Sequence, residues 1–323
     1  GKAYSYESLG SLAGGLIFSL VLGRFFNSFQ IIGLTTGAVC LTGIWINGKG
    51  QFRKQFWLPV FGILILVFIF GFSPDLWIKK WLYPNQEIIL GQSTSYGNLV
   101  VTRQAGQVNF YENNALQFYT DNLAVSEEAV HFAMLQHEHP QQVLLISGGI
   151  SGMIEEIKKY DVKKITYLET NPEIFRHWKH LSGFTEQPGL VEIVQKDIRI
   201  FLSRTTHTYD VILINLPPPS TLGFNRFYTE EFFRSVKKHC SKQSIVCTSL
   251  PSTVNYAEEN AGEVNASLWN TLGEHFQYLL LLPGEKNYFL ASDSHLSSDL
   301  SRLAEEKGVE NEYVNQYYLD DEL

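Results

Sequence analysis

Cysteine is scarce in this chain. Three stand in 323 residues, Cys40, Cys240 and Cys247, and no metal-ligand spacing links them. An odd count with no framework argues against a disulfide-stapled scaffold and for reduced, structural thiols. An excess of positive charge is missing too. The net charge of −8 argues against nucleic acid as a partner of the chain as a whole. No signal-peptide pattern stands at the start. The chain opens Gly1-Lys2, with an apolar stretch under way by Leu9, which suggests a fragment or a processed product. Charge of either sign is absent from two long runs: residues 29–46 carry none in 18 positions, and residues 56–72 none in 17.

Those runs, with a shorter apolar stretch at 8–23, set the first part of the chain apart. A bilayer span needs about 20 apolar residues, so the two charge-free runs with their flanks are the expected spans. The first stretch carries Gly10-x-x-x-Gly14 and a second small pair, Ser11 and Gly15, a pattern that lets helix backbones approach closely in lipid. Trp45, Trp57, Trp77 and Trp81 lie near the segment ends, where interfacial anchors belong. Residues 73–84 form an amphipathic connector expected to lie at the interface. Lys2, Lys49, Arg53 and Lys54 on one side, against Arg24, Lys79 and Lys80 on the other, leave the orientation open by the positive-inside rule.

The rest of the chain is organised around residues 142–169, QVLLISGGISGMIEEIKKYDVKKITYLE. An apolar run short enough for a buried strand leads into Ser147-Gly148-Gly149-Ile150-Ser151-Gly152. A helical stretch follows, then a second strand that ends in Glu169, 17 positions after the last glycine. Glycines let a backbone approach a ligand, and a helix N-terminus offers free N–H groups. A carboxylate at the end of the next strand can accept two hydrogen bonds from ribose hydroxyls. Around this unit the periodicity predicts three short strands at 98–103, 108–112 and 116–120. Asn113-Asn114 suits a type I′ turn between the last two. Beyond Glu169, helices and strands alternate to the end, which predicts a parallel sheet with ligands at the strand C-terminal ends.

This order of parts resembles the spermidine synthase (aminopropyltransferase) family over roughly residues 90 to 293: a β-meander, an acid-bearing helix, a glycine turn, a ribose acid, Asp197 in KDIRIFL and a proline loop. The segments YSYESLGSLAGG, NLPPPSTLGFNRFYTEEFF and LPGEKNYFLAS are similar to the membrane-anchored branch of that family. The resemblance implies a Rossmann-like α/β sheet of the S-adenosylmethionine-dependent methyltransferase type, preceded by a β-meander and N-terminal transmembrane helices. The expected parts are 1–84 for the membrane region, 85–125 for the meander and 126–323 for the Rossmann-like domain. It also implies that Gly148, Gly149 and Gly152 cradle an adenosyl ligand, that Glu169 holds its ribose and that Asp197 meets the adenine amine. Gln117 would stand at the substrate mouth, and Glu127 would match the acid of the family's Tyr-His-Glu segment. The implied co-substrate is S-adenosylmethionine or its decarboxylated form, with no metal. The implied partners are a lipid bilayer and a small-molecule acceptor, and a homo-oligomer is open. The domain is expected in the cytoplasm, where adenosyl cofactors are made, on a multi-pass membrane protein.

The departures bear on the acceptor side. The family's Gly-Gly-Gly-Asp-Gly-Gly turn reads here with Ser147 and Ile150, so the acid facing the ligand's amino end is gone. Its Asp-Ser-Ser-Asp-Pro segment reads Asn215-Leu216-Pro217-Pro218-Pro219, which removes both aspartates, the first of them the family's proton acceptor. Val125 and Ser126 replace its Tyr and His, and Gly97 a Gln. The remaining candidates for catalysis are Asn215, Glu127 and Tyr228. Glu127 and Glu128 also suit a helix N-terminus without any further role, and His131 lies one turn on. His137 and His139 are expected to be solvent-exposed. Two rivals to aminopropyl transfer stay open: methyl transfer, and a membrane-tethered module that binds a nucleoside without turnover.

Overall fold

The structure, a computed structural model, describes residues 2–47, 57–72, 74–94, 96–120, 122–182, 187–252 and 259–315. The side chains of Arg24, Trp45, Trp57 and Ile150, the basic residues Lys49, Arg53 and Lys54, and the acidic end 318–323 lie outside what is described. The chain forms two compact units, Gly1–Gln104 and Ala105–Leu323.

In the first unit, helix α1 (Lys2–Ile17) runs into a π-helical turn (Phe18–Leu22) and a short α2 (Gly23–Phe25). Helices α3 (Ser28–Asn47), α4 (Trp57–Phe72) and α5 (Pro74–Leu82) follow. One helical stretch among the described residues, Ala3–Leu22, is long and apolar enough to cross a membrane. The apolar parts of the next two, Ser28–Gly43 and Val60–Ile69, are shorter. Both are bounded by residues whose side chains lie outside what is described, and the helix that holds the former runs 20 residues, Ser28–Asn47. The first helix continues past its apolar core to Ala3 with Tyr4 and Tyr6 exposed, a length that apolarity alone does not show. Close helix packing also falls elsewhere than expected. A side chain added at Gly10, Gly14 or Gly15 would meet nothing, whereas Gly33 lies against Ile69 and Leu66, and Gly37 against Leu66. The small-residue face that works within this chain is therefore the one between α3 and α4. On α5, Trp77 and Trp81 point outward, 79% and 80% exposed. Lys79 is buried, its Nζ 2.6 Å from Asp75 one turn earlier. An antiparallel hairpin of β1 (Glu87–Thr94) and β2 (Gly97–Gln104) completes the unit. The strand β1 was not legible, because EIILGQST alternates without a clear apolar face.

The second unit opens with another antiparallel hairpin, β3 (Gln107–Glu112) and β4 (Ala115–Tyr119). Asn113 and Asn114 turn it with φ of 51° and 65°, as a type I′ turn requires. Then come α6 (Leu123–Met134), β5 (Gln142–Ile146), α7 (Met153–Ile157), β6 (Lys164–Glu169), α8 (Pro172–Ser182), β7 (Val191–Gln195) and α9 (Ile198–Arg204). The chain continues through β8 (Tyr209–Ile214), α10 (Leu222–Asn225), α11 (Glu230–Lys237), β9 (Cys240–Pro251) and α12 (Glu259–Gly273) to β10 (Tyr278–Pro283), β11 (Lys286–Ser292) and α13 (Leu300–Lys307). The seven strands are ordered β10-β11-β9-β8-β5-β6-β7. Strands β5 to β9 pair in parallel, and β11 runs against both of its neighbours. The apolar runs of β5, β6 and β8 are buried on both faces, as a covered parallel sheet demands. One core cluster on the sheet joins Leu144, Ile146, Ile212, Val246 and Phe289 to Phe232, Phe233 and Leu268 of the helices. From β5 the chain winds outward through β6 and β7, then returns to β8 on the other side of β5. That reversal opens a crevice at the C-terminal ends of β5 and β8, where open α/β sheets bind ligands.

Candidate functional site

The crevice is built from the turn after β5. Ser147 has φ of 60°, Gly148 76° and Gly152 109°, the left-handed region that favours glycine. Two of the glycines are fixed by neighbours as well. A Cβ on Gly148 would strike the side-chain amide of Asn215, and one on Gly149 would lie 2.8 Å from the Tyr167 ring. Ser147 holds its strained conformation with help from its side chain, since Oγ donates to Glu169 at 3.3 Å. Ser126 Oγ, on α6, donates to the Ser151 carbonyl at 2.7 Å and anchors the far side of the turn.

Glu169 ends β6 beside this turn and is buried. Tyr167 Oη donates to its Oε2 at 2.9 Å, and the Asn171 N–H to its Oε1 at 3.3 Å. Burial pushes its pKa up to about 7, against the pull of those donors, and the nearby Glu112 adds to the rise. Glu112, at the end of β3, accepts from Asn171 Nδ2 at 2.6 Å, and burial raises its pKa as well. Asn171 thus separates two buried carboxyls, donating to one through its backbone and to the other through its side chain. Two carboxyls buried this close together are an electrostatically costly arrangement. Donors supplied by a ligand would relieve it.

Beside the turn lies a cavity of about 220 Å³. Gln117 and Tyr119 of β4, Asn122 and Val125 at the start of α6, and Ser151 of the turn line one part of it. Asn215 to Pro218, the end of β9 and the pair Glu285-Lys286 line the rest. Asn215 extends β8, its N–H bonded to the Ile146 carbonyl at 2.9 Å, which holds its amide over Gly148. The cavity and the glycine turn therefore share a wall.

A match to the spermine/spermidine synthase domain covers residues 122–286. The chain belongs to that family. It is 29% identical to a polyamine aminopropyltransferase of Oceanobacillus iheyensis over 278 residues, covering 81% of this chain and 54% of the relative. A polyamine aminopropyltransferase of Leptospira interrogans is 27% identical, with 76% and 52% covered. The chain thus spans about half the length of the curated relatives it matches. Among solved structures, a spermidine synthase in complex with the transition state analogue AdoDATO superposes with a TM-score of 0.61 at 18% identity, covering 72% of this chain and 83% of that one. The spermidine synthase of Thermotoga maritima gives 0.60, also at 18% identity, with 72% and 82% covered. These likenesses show that the fold is that of spermidine synthases.

On that fold the sequence-selected residues separate. Gly148, Gly149, Glu169, Asn215 and Gln117 come together around the crevice and the cavity, and Gly152 leads into α7. Gln117 lines the cavity, with its Nε2 bonded back to the Ala115 carbonyl at 3.1 Å. Asp197 lies partly buried and caps α9 through Arg199 and Ile200 N–H at 3.0 and 3.2 Å. Its other oxygen pairs with Arg226 at 2.8 Å. Two selected residues turn away. Glu127 is fully buried, and its carboxylate accepts from the N–H groups of Glu312, Tyr313 and Val314 at 2.9, 2.7 and 3.1 Å. It clamps the segment after α13 and lines no part of the cavity. Tyr228 donates to the carbonyls of Leu216 and Pro217 at 3.2 and 2.9 Å. It pins the proline loop from behind, and burial raises its pKa.

His131 is buried between Tyr160 Oη at 2.7 Å and Glu156 at 2.8 Å, and burial lowers its pKa. His137 is buried, not solvent-exposed, although His139 is exposed. Burial pushes the Cys240 and Cys247 thiols up to about 11 and about 12, which suits structural thiols. The cavity residues missed by the sequence reading, Tyr119, Asn122, Ser249, Glu285 and Lys286, gave no motif signal. Of these, Glu285 and Lys286 lay within LPGEKNYFLAS, which marked kinship but not a role.

Proposed function

We propose that the chain binds an adenosyl sulfonium at the β5 turn and transfers its aminopropyl group to an amine in the adjoining cavity. The observation that carries this reading is the buried Glu169 carboxyl beside the Ser147-Gly148-Gly149 turn. Decarboxylated S-adenosylmethionine is the preferred co-substrate, given the family. The acceptor's nitrogen lone pair attacks the carbon next to sulfur. The carbon–sulfur bond breaks, the pair stays on sulfur, and methylthioadenosine leaves as a neutral thioether. The nitrogen, now an ammonium, then gives its proton to solvent water. The sulfonium already activates the carbon, so holding the two reactants in line does most of the work. Asn215 is placed to orient the amine by hydrogen bonding but cannot take up its proton, and the Pro218 side chain accepts nothing. Relative to an enzyme with a carboxylate base there, turnover of a simple diamine is expected to fall by about 10²–10⁴.

The helical part of the first unit, within residues 1–84, is read as the membrane anchor of a multi-pass protein, with the catalytic part on the cytoplasmic side. The apolar window in Ala3–Leu22 is not buried within the chain at all, and Trp77 and Trp81 face outward on α5. Calorimetry with methylthioadenosine tests the nucleoside reading. Glu169→Ala is expected to weaken binding by about 1–3 kcal/mol, the scale for a lost charged hydrogen-bonding partner. Unchanged affinity would remove Glu169 from the site.

A further inference from the structure

The cavity wall carries one charge of each sign. Among the described residues, the charged ones that line it are Glu285 and Lys286. Lys286 is the first residue of β11, carried into the cavity wall next to the tight Gly284 turn, whose N–H bonds the Lys286 carbonyl at 2.9 Å. Among the described residues, nothing forms an ion pair or a side-chain hydrogen bond with the Lys286 ammonium. The groups that act on it from neighbouring elements are few. Burial pushes the Lys286 pKa down, while Glu128 of α6 attracts the ammonium and the Cys247 thiol of β9 lies near. Glu128 is not a cavity residue. It is fully buried behind the turn, one oxygen accepting the Glu285 N–H at 2.9 Å, and its carboxyl would lie 2.7 Å from a Cβ on Gly284. Cys247, with its thiol pushed up to about 12, carries no charge at neutral pH.

A diamine presents one neutral, reacting nitrogen and one ammonium. Set with its far end at Lys286, its ammonium would face a second ammonium, and like charges at short range repel strongly where water is partly excluded. Lys286 is half-buried, and an acceptor's carboxylate would give its ammonium a partner inside the cavity. The volume of about 220 Å³ equals about seven water molecules, room for a short chain and not for a peptide.

Resting on the aminopropyltransferase reading above, we propose that the acceptor is a short amino acid, with its amine at the Asn215 end and its carboxylate paired with Lys286. Lys286 is then a specificity-determining residue: it favours an anionic tail and disfavours a cationic one. Glu285, on the same wall, repels an acid placed anywhere but at Lys286 and so fixes the direction in which the acceptor lies.

The test uses the full chain in detergent, saturated with methylthioadenosine, and measures binding of 4-aminobutyrate and putrescine by calorimetry. These probes have similar length and differ in the charge of one end. The expected result is that 4-aminobutyrate binds at least tenfold more tightly than putrescine. Lys286→Met should erase or reverse that preference, Lys286→Arg should keep it, and both variants should bind methylthioadenosine like the parent. Tighter binding of putrescine by the parent, a preference untouched by Lys286→Met, or binding of neither probe would overturn the proposal while leaving the nucleoside site standing. Failure of the parent to bind methylthioadenosine would overturn the reading beneath it, and this proposal with it.

Discussion

At the scale of single residues, Glu169 has the clearest consequence. Its carboxyl, pushed up to about 7 by burial, is partly protonated at neutral pH, while the unfolded chain would ionise it in the ordinary carboxylate range. The folded state therefore binds more protons between those limits, so this group lowers stability as pH rises from about 4.5 to about 7. Ribose hydroxyls are held better by the ionised form, which accepts at both oxygens. Binding of methylthioadenosine is thus expected to release up to one proton per site, and to tighten from pH 6 to pH 8. Calorimetry in two buffers of different ionisation enthalpy reads the proton directly. Glu169→Gln should abolish both effects, and a pH-independent affinity in the parent would contradict the assignment.

Residue positions along β5 and β6 were legible because the glycine turn and the strand-end acid lie close in sequence and have local causes. Where Glu127 points was not. A helix N-terminal acid has the same sequence signature whether it faces a cavity or, as here, takes up three backbone N–H groups from a segment almost two hundred residues away. Lys286 was hidden for the same reason, since only the folding of β11 against β9 brings it to the wall opposite Gln117.

At the scale of elements, α6 carries a buried polar network that ties down the end of the chain. Glu156 Oε2 is 2.8 Å from one ring nitrogen of His131, and Tyr160 Oη 2.7 Å from the other. A carboxylate only accepts, so the neutral ring donates from Nε2 and accepts the Tyr160 proton at Nδ1. Lys159 pairs with Glu156 at 2.6 Å, stands 3.7 Å from Glu127 and donates to the Glu310 carbonyl at 3.1 Å. Removing the Glu127 clamp should loosen the segment without touching the crevice. Glu127→Ala is expected to cost about 1–3 kcal/mol, since buried donors lose a charged acceptor. Hydrogen exchange at residues 312–314 should accelerate, with methylthioadenosine affinity within about twofold of the parent. A large loss of nucleoside affinity, with exchange unchanged, would return Glu127 to the site. Because burial holds His131 neutral, its pKa lies below the ordinary range in the folded protein. Its contribution to stability is full above about 6.5 and falls as the pH drops below that value.

The elements themselves were mostly legible. The parallel strands appear as apolar runs because both faces are buried, and the helices carry a 3.6-residue period. The reversal of β11 was not legible, because strand direction is a property of the whole sheet. Nor was the length of the first helical stretch, which reaches from Ala3 to Leu22, beyond its apolar core.

For the molecule as a whole, the reading joins a membrane anchor to a transferase unit whose nucleoside side is kept and whose acceptor side has changed. A chain beginning at Gln86 retains both hairpins and the seven-stranded sheet. It is expected to fold, by circular dichroism, and to stay in the aqueous phase in a vesicle flotation assay, while the full chain floats. An unfolded truncation, or a full chain that stays in the aqueous phase, would contradict the division of labour. The central claim is aminopropyl transfer itself, and mass spectrometry of products meets it most directly. The purified chain is incubated with isotope-labelled S-adenosylmethionine or its decarboxylated form, and with 4-aminobutyrate or putrescine as acceptor. The account predicts methylthioadenosine and an aminopropylated acceptor from the decarboxylated form, with the labelled methyl group of S-adenosylmethionine left untransferred. A methylated acceptor, or no product from either donor although methylthioadenosine binds, would contradict it.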